Sequence, residues 1–95
     1  MGKLVRDRIP ELFGGCARAL NADELRAALR AKLGEEVGEY LASGEVLELA
    51  DVLEVVYALA LLDGLTPGEL EDLRAHKAEE RGSFDARLWW EAPVR

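Results

Sequence analysis

The sequence predicts an all-α fold built as one small domain over residues 1–95, and three observations carry that expectation. Helix-opening signals stand at Asn21 and Thr66, glycines at 44, 64 and 82 stand where helices should stop, and runs rich in Ala, Leu, Glu and Arg lie between them. The longest run, LGEEVGEYLASGEVLELADVLEVVYALALL over 33–62, is largely apolar but contains Glu35, Glu36, Glu39, Glu48, Asp51 and Glu54. Those acids require an explanation along with the helices.

At the N-terminus, KLVRDRI places Leu4 on one parity and Val5 and Ile9 on the other; near the C-terminus, SFDARLWWE puts Phe84, Ala86, Leu88 and Trp90 on alternate positions. Such alternation is compatible with a short terminal β-ribbon. The first long helix opens at NADE, with Asn21 as N-cap and Glu24 three residues on, a capping-box variant, and should run to about Ser43. Gly44 breaks it. The second helix should span about Glu45 to Asp63 and stop at Gly64. The third opens at TPGE, with Thr66 as N-cap, Pro67 at N1 and Glu69 at N3, and should end near Arg81 before Gly82. No repeat, low-complexity tract or long linker divides the chain.

A net charge of −7 argues against a nucleic-acid polymer as partner, because phosphate backbones are held by clustered Lys and Arg. Cys16 is the single cysteine, which excludes an intramolecular disulfide and a cysteine-based zinc site and fits a reducing cytoplasm. MGKLVRDRIP has no apolar signal region, and Arg6 stands where a myristoylation signal wants Ser or Thr. Glu48, Asp51 and Glu54 interrupt the longest apolar stretch, so no membrane partner is expected. Phosphate-loop and acyl-transfer chemistry are disfavoured, since the chain has no GxxxxGK[ST], no GxGxxG and no Ser or Cys nucleophile with a partnered His.

A helix turns about 100° per residue. With Leu25 at zero, Leu29 falls near ~40°, Tyr40 near ~60°, Leu33 near ~80° and Glu36 near ~20°, inside the apolar stripe. Glu39 lies on the edge of that stripe, and Glu35 lies further round. On the second helix apolar residues surround the axis almost completely, with Glu48 between Val55 and Leu59 and Asp51 between Ala58 and Leu62. A helix of that kind predicts burial on all sides. One hairpin is too small to supply it, so two chains should share a four-helix core as a homodimer or higher homo-oligomer.

Buried carboxylates must be protonated, paired or ligated to metal. Glu36 with Glu39, and Glu48 with Asp51, are i,i+3 pairs flanking Gly44, and folding the helices about that glycine brings the two pairs level. Four converging oxygen donors suit Mg²⁺, or Mn²⁺ as its substitute, better than zinc. The bland alternative is a solvated acidic face, the usual state of any single such pair.

EEVGE at 35–39 followed by ELAD at 48–51 resembles the EExxE…ExxD signature of the MazG-like all-α nucleoside triphosphate pyrophosphohydrolases, which include all-α dUTPases and phosphoribosyl-ATP pyrophosphohydrolase. KLVRDRIPEL at 3–12, ELADVLEVVYAL at 48–59 and KAEERGSF at 77–84 look like the compact phosphoribosyl-ATP-pyrophosphohydrolase-like branch, so the resemblance covers most of the chain. The spacer between Glu39 and Glu48, eight residues, is shorter than in many MazG proteins, which bears on base recognition. The resemblance implies Mg²⁺-dependent hydrolysis of a nucleotide between its α- and β-phosphates, giving a nucleoside monophosphate and pyrophosphate, as in house-cleaning of non-standard nucleoside triphosphates. It further implies Glu36, Glu39, Glu48 and Asp51 as metal ligands. Glu35 and Glu36 are the catalytic candidates; for Glu35, general base and orienting partner of a ligand both stay open. Phosphoribosyl-ATP as substrate is the close alternative, and a catalytically silent helical dimerisation module is the rival from another class.

Lys77, with Arg74 and Arg81 beside it, forms a basic edge on the third helix that is a candidate for substrate phosphates; its bland reading is a salt bridge to Glu54. Lys3 and Arg6 on the N-terminal stretch are further substrate candidates. His76 is expected to be exposed, Tyr57 to pack, and Trp89 and Trp90 to close a core or a subunit contact.

Overall fold

The computed structural model describes residues 2–94, and among them it contains four helices and no strand: α1 (Ile9–Phe13), α2 (Ala22–Ser43), α3 (Val46–Leu62) and α4 (Pro67–Arg81). The all-α class and the three long helices match the expectation within a residue or two. Both capping boxes form. The Asn21 side chain accepts from the Glu24 N–H at 2.9 Å while the Glu24 carboxylate accepts from the Asn21 N–H at 3.1 Å. Thr66 and Glu69 repeat the exchange at 3.2 and 3.1 Å. Each satisfies two amides that the first turn leaves without partners.

Gly44 ends α2 in the left-handed conformation, φ 68°, with its N–H donating to the Tyr40 carbonyl at 2.7 Å. A side chain there would be strained, so the tight α2–α3 reversal depends on glycine. The hairpin is antiparallel: Arg26 near the start of α2 pairs with Asp63 after α3 at 2.8 Å, and Glu36 in the middle of α2 meets Glu48 and Asp51 near the start of α3. α4 packs against α3. No helix is long and apolar enough to cross a membrane among the described residues.

The terminal ribbon does not form. At the N-terminus the Ile9 N–H donates to the Arg6 carbonyl at 3.0 Å and the chain turns into α1, with Pro10 in its first turn. Proline's fixed φ suits that position and cannot donate to a strand ladder. At the other end the Arg87 N–H closes a turn on the Phe84 carbonyl at 3.1 Å, with Arg87 at φ 55°, and this interrupts the alternation that suggested a strand.

The apolar core within one chain is thin: Leu29 on α2 and Val55 on α3 are its buried hydrophobic side chains among the described residues. Val46, Leu49 and Leu53 line the side of α3 opposite Val55 and stay exposed, as do Phe84, Leu88, Trp89 and Trp90, with Trp89 at 91%. The expectation that α3 is buried on all sides is therefore not met within one chain. Trp89 and Trp90 close no intramolecular core. The radius of gyration is 17.3 Å, against about 12 Å for a compact domain of this length.

Candidate metal centre

The hairpin register brings the acids together. Glu36, Glu48 and Asp51 each present a carboxylate oxygen, all within 4.8 Å of one another, and Glu35, Glu36 and Glu39 form a second group by the same measure. Glu36 belongs to both. The four acids expected at one site thus fall into two groups that share Glu36: Glu48 and Asp51 meet Glu36 directly, while Glu39 groups with Glu36 and Glu35.

Glu36 is 8% exposed, and its Oε2 is buried without a hydrogen-bond partner. A buried carboxylate oxygen in that state costs free energy unless something positive reaches it. Its other oxygen, Oε1, lies 3.4 Å from Lys32 Nζ, and the same ammonium reaches Glu35 at 3.4 Å. Burial works against the Lys32 charge, but the hydrogen bond it donates to Glu36 and the charges of Glu35 and Glu36 outweigh it and hold the Lys32 pKa above its ordinary value. Glu39 is pushed toward its neutral form: the charge of Glu36 and a hydrogen bond with it, then burial and the charges of Glu48 and Glu35, raise its pKa. The cluster therefore carries more negative charge than its own cations neutralise. Its all-oxygen donor set and the orphaned Glu36 Oε2 fit a hard divalent cation.

The N-terminal segment approaches from outside the hairpin. Arg6 Nη2 donates to Asp51 Oδ1 at 2.6 Å, with the two side chains 58% and 42% exposed. Leu4, Val5, Arg6 and Asp7 line a cavity of about 280 Å³ over Glu36 and Asp51, and also line a larger, open one of about 890 Å³ that Lys3 and Arg18 border. Of the substrate candidates, Arg6 thus reaches the acids, and Lys3 borders the larger cavity beside it. Arg74, Lys77 and Arg81, on α4, line neither cavity. Arg74 forks onto Glu71 of its own helix, Nε to Oε2 at 2.8 Å, while Lys77 and Arg81 are exposed. A helical wheel fixes a residue's face on its own helix and says nothing about which end of a neighbour it meets. Lys77 makes no ion pair with Glu54 among the described residues, and Glu54 lines the smaller cavity. His76 is exposed and pairs with Glu80 at 3.0 Å.

Two contacts went unread in the sequence. Lys32, four residues before Glu36 and three before Glu35, was legible as a helical neighbour of both. The Arg6–Asp51 pair, 45 residues apart, had no local signal.

Comparison with known proteins adds one sequence match. An uncharacterized protein of Mycolicibacterium smegmatis is 52% identical over 48 residues, which cover 45% of this chain and 49% of the relative's own length. No family model matches the chain, and no solved structure matches it.

Proposed function

We propose that the chain is a divalent-metal-dependent nucleotide pyrophosphohydrolase of the MazG-like kind, with Mg²⁺ as its cofactor, releasing pyrophosphate and a nucleoside monophosphate. The buried, unpartnered Oε2 of Glu36 within the Glu36, Glu48 and Asp51 triad carries this reading, because a purely structural acidic cluster has no reason to desolvate an acceptor and leave it empty. Bound there, Mg²⁺ would supply the positive charge that lets an acidic site accept a triphosphate, and would lower the pKa of an attacking water. Glu36, Glu48 and Asp51 are the holding residues and Glu39 the ligand at the rim. Glu35 is exposed and bonded to Lys32, so it can accept a proton at the edge of the site or hold Lys32 in place. Lys3 and Arg6, on the segment that borders both cavities, are the cations available to phosphate oxygens.

The same proposal includes a homodimer. The chain exposes 8529 Å², whereas a compact monomer of its mass exposes about 5,400 Å². The surplus exceeds the roughly 800 Å² that each partner buries in a standard interface, and the exposed Val46, Leu49 and Leu53 stripe of α3 is the apolar surface in question.

A panel of nucleoside triphosphates, assayed for pyrophosphate release with Mg²⁺ and with excess chelator, tests the reaction. Metal-dependent release from at least one nucleotide is expected, abolished in Glu48→Gln. Release of orthophosphate alone, or activity indifferent to Glu48, would overturn the proposal.

A further inference from the structure

Within the acidic cluster, Glu36 is met by a cation from its own helix, Lys32, while Asp51 is met by Arg6, a residue on a separate and exposed segment. The two contacts differ in kind. Lys32 lies one turn from Glu36 and cannot leave it far, whereas Arg6 reaches Asp51 across 45 residues of chain and keeps more than half of its side chain in solvent. An exposed pair of this kind holds weakly. Arg6 also borders the larger cavity alongside Lys3, so a small rotation of its side chain carries the guanidinium from the carboxylate to open space where a phosphate would lie.

Resting on the metal-dependent reading above, we propose that Arg6 is an exchangeable counter-ion: it holds Asp51 when no metal is bound, gives that carboxylate up to the divalent cation, and turns its guanidinium to the diphosphate oxygens of the substrate. The electrostatics favour the exchange. Arg6 at 2.6 Å draws on the negative charge of Asp51 Oδ1 that a cation would use, and two positive groups on one carboxylate repel each other, so each weakens the other's hold. Once released, the guanidinium has the geometry that phosphate oxygens accept in a bidentate way. Arg6 therefore opposes metal binding in the absence of substrate and favours it in the presence of a diphosphate, which couples the two ligands positively. The residue sets an order of events: a lone metal ion is held loosely, and the metal and the phosphates are retained together.

Mn²⁺ titration of the full chain, followed by electron paramagnetic resonance without any nucleotide, tests this apart from turnover. Arg6→Gln should bind Mn²⁺ about two- to five-fold more tightly than the parent, the factor an exposed competing pair supplies. With Mn²⁺ saturating, the same variant should bind imidodiphosphate, a non-hydrolysable diphosphate, about ten-fold more weakly, the size of a lost charged hydrogen bond. Arg6→Lys, which keeps the charge and loses the planar fork, should hold Mn²⁺ within about two-fold of the parent and still bind imidodiphosphate weakly; helicity by circular dichroism should be unchanged in both. Unchanged or weaker Mn²⁺ binding in Arg6→Gln would overturn the exchange and leave Arg6 a residue that merely positions Asp51. A parent chain that binds no Mn²⁺ would overturn the metal centre itself, and the exchange with it.

Discussion

Replacing Glu36 by glutamine should stabilise the protein without metal and destabilise it, relative to the parent, with metal. In the metal-free chain the Glu36 carboxylate is buried, its Oε2 has no partner, and Glu39, Glu48 and Asp51 crowd it with like charge. An unsatisfied buried acceptor costs about 1–3 kcal/mol. The compensating cation, Lys32 at 3.4 Å, is an i,i+4 pair with the lysine on the less favourable side and contributes about 0.3–0.5 kcal/mol. Glutamine removes the charge, and its amide finds acceptors among the surrounding carboxylates, so the variant should gain about 1 kcal/mol. For a chain of this length that raises Tm by about 4–8 °C. With Mg²⁺ at a hundred times its dissociation constant the parent should gain about 2.7 kcal/mol, and the variant, short of its shared anionic ligand, much less. Thermal unfolding by circular dichroism at one fixed chain concentration, in excess chelator and then in millimolar Mg²⁺, should give melting curves that exchange their order. A variant that melts below the parent in chelator would refute the reasoning, because Glu36 would then be stabilised by a partner other than metal.

The remaining expectations concern pH, assembly and local structure. Because the charge of Glu36, then its hydrogen bond, burial and the charge of Glu48 raise the Glu39 pKa above 4.5, the folded chain binds a proton more readily than the unfolded one; metal-free stability should therefore rise as pH falls from neutral toward the raised value, and Glu39→Gln should flatten that rise in chemical denaturation. Below 4.5 the trend should reverse, since Glu24, hydrogen-bonded by the Asn21 amide and Arg18, and Glu71, hydrogen-bonded by Arg74, have depressed pKa values and lose their contributions as they protonate. Leu53→Lys on the exposed stripe of α3 should convert a species of twice the 10.5 kDa chain mass into monomer in light scattering, with a fall in Tm that no longer depends on concentration; a parent that is a stable monomer at micromolar concentration would refute the dimer. Thr66→Ala should remove one half of the α4 capping box and cost about 1 kcal/mol in urea unfolding, with no effect on Mn²⁺ affinity.

By itself the sequence determined what short-range physics decides. Asn21 with Glu24, and Thr66 with Glu69, are complete capping signals within four residues, and the glycines at 44, 64 and 82 stop the helices because the chain there turns into conformations other residues avoid. The Glu36, Glu48 and Asp51 convergence was legible for the same reason: one tight turn at Gly44 links two helices of known period, so the register across the hairpin follows from counting residues. The tertiary structure alone decided what depends on distant segments. Arg6 lies on Asp51 and Arg74 is turned to Glu71, because which helix end or loop a cation meets is set by how α4 and the N-terminal segment pack, and no local pattern encodes that. The alternating positions around Phe84 and Leu4 form no strand for a related reason: alternation is only a disposition, and a strand exists where a second one lies beside it to exchange hydrogen bonds. Glu36 reads as one acid among many in the sequence; only the packed hairpin buries one of its oxygens and leaves it without a partner.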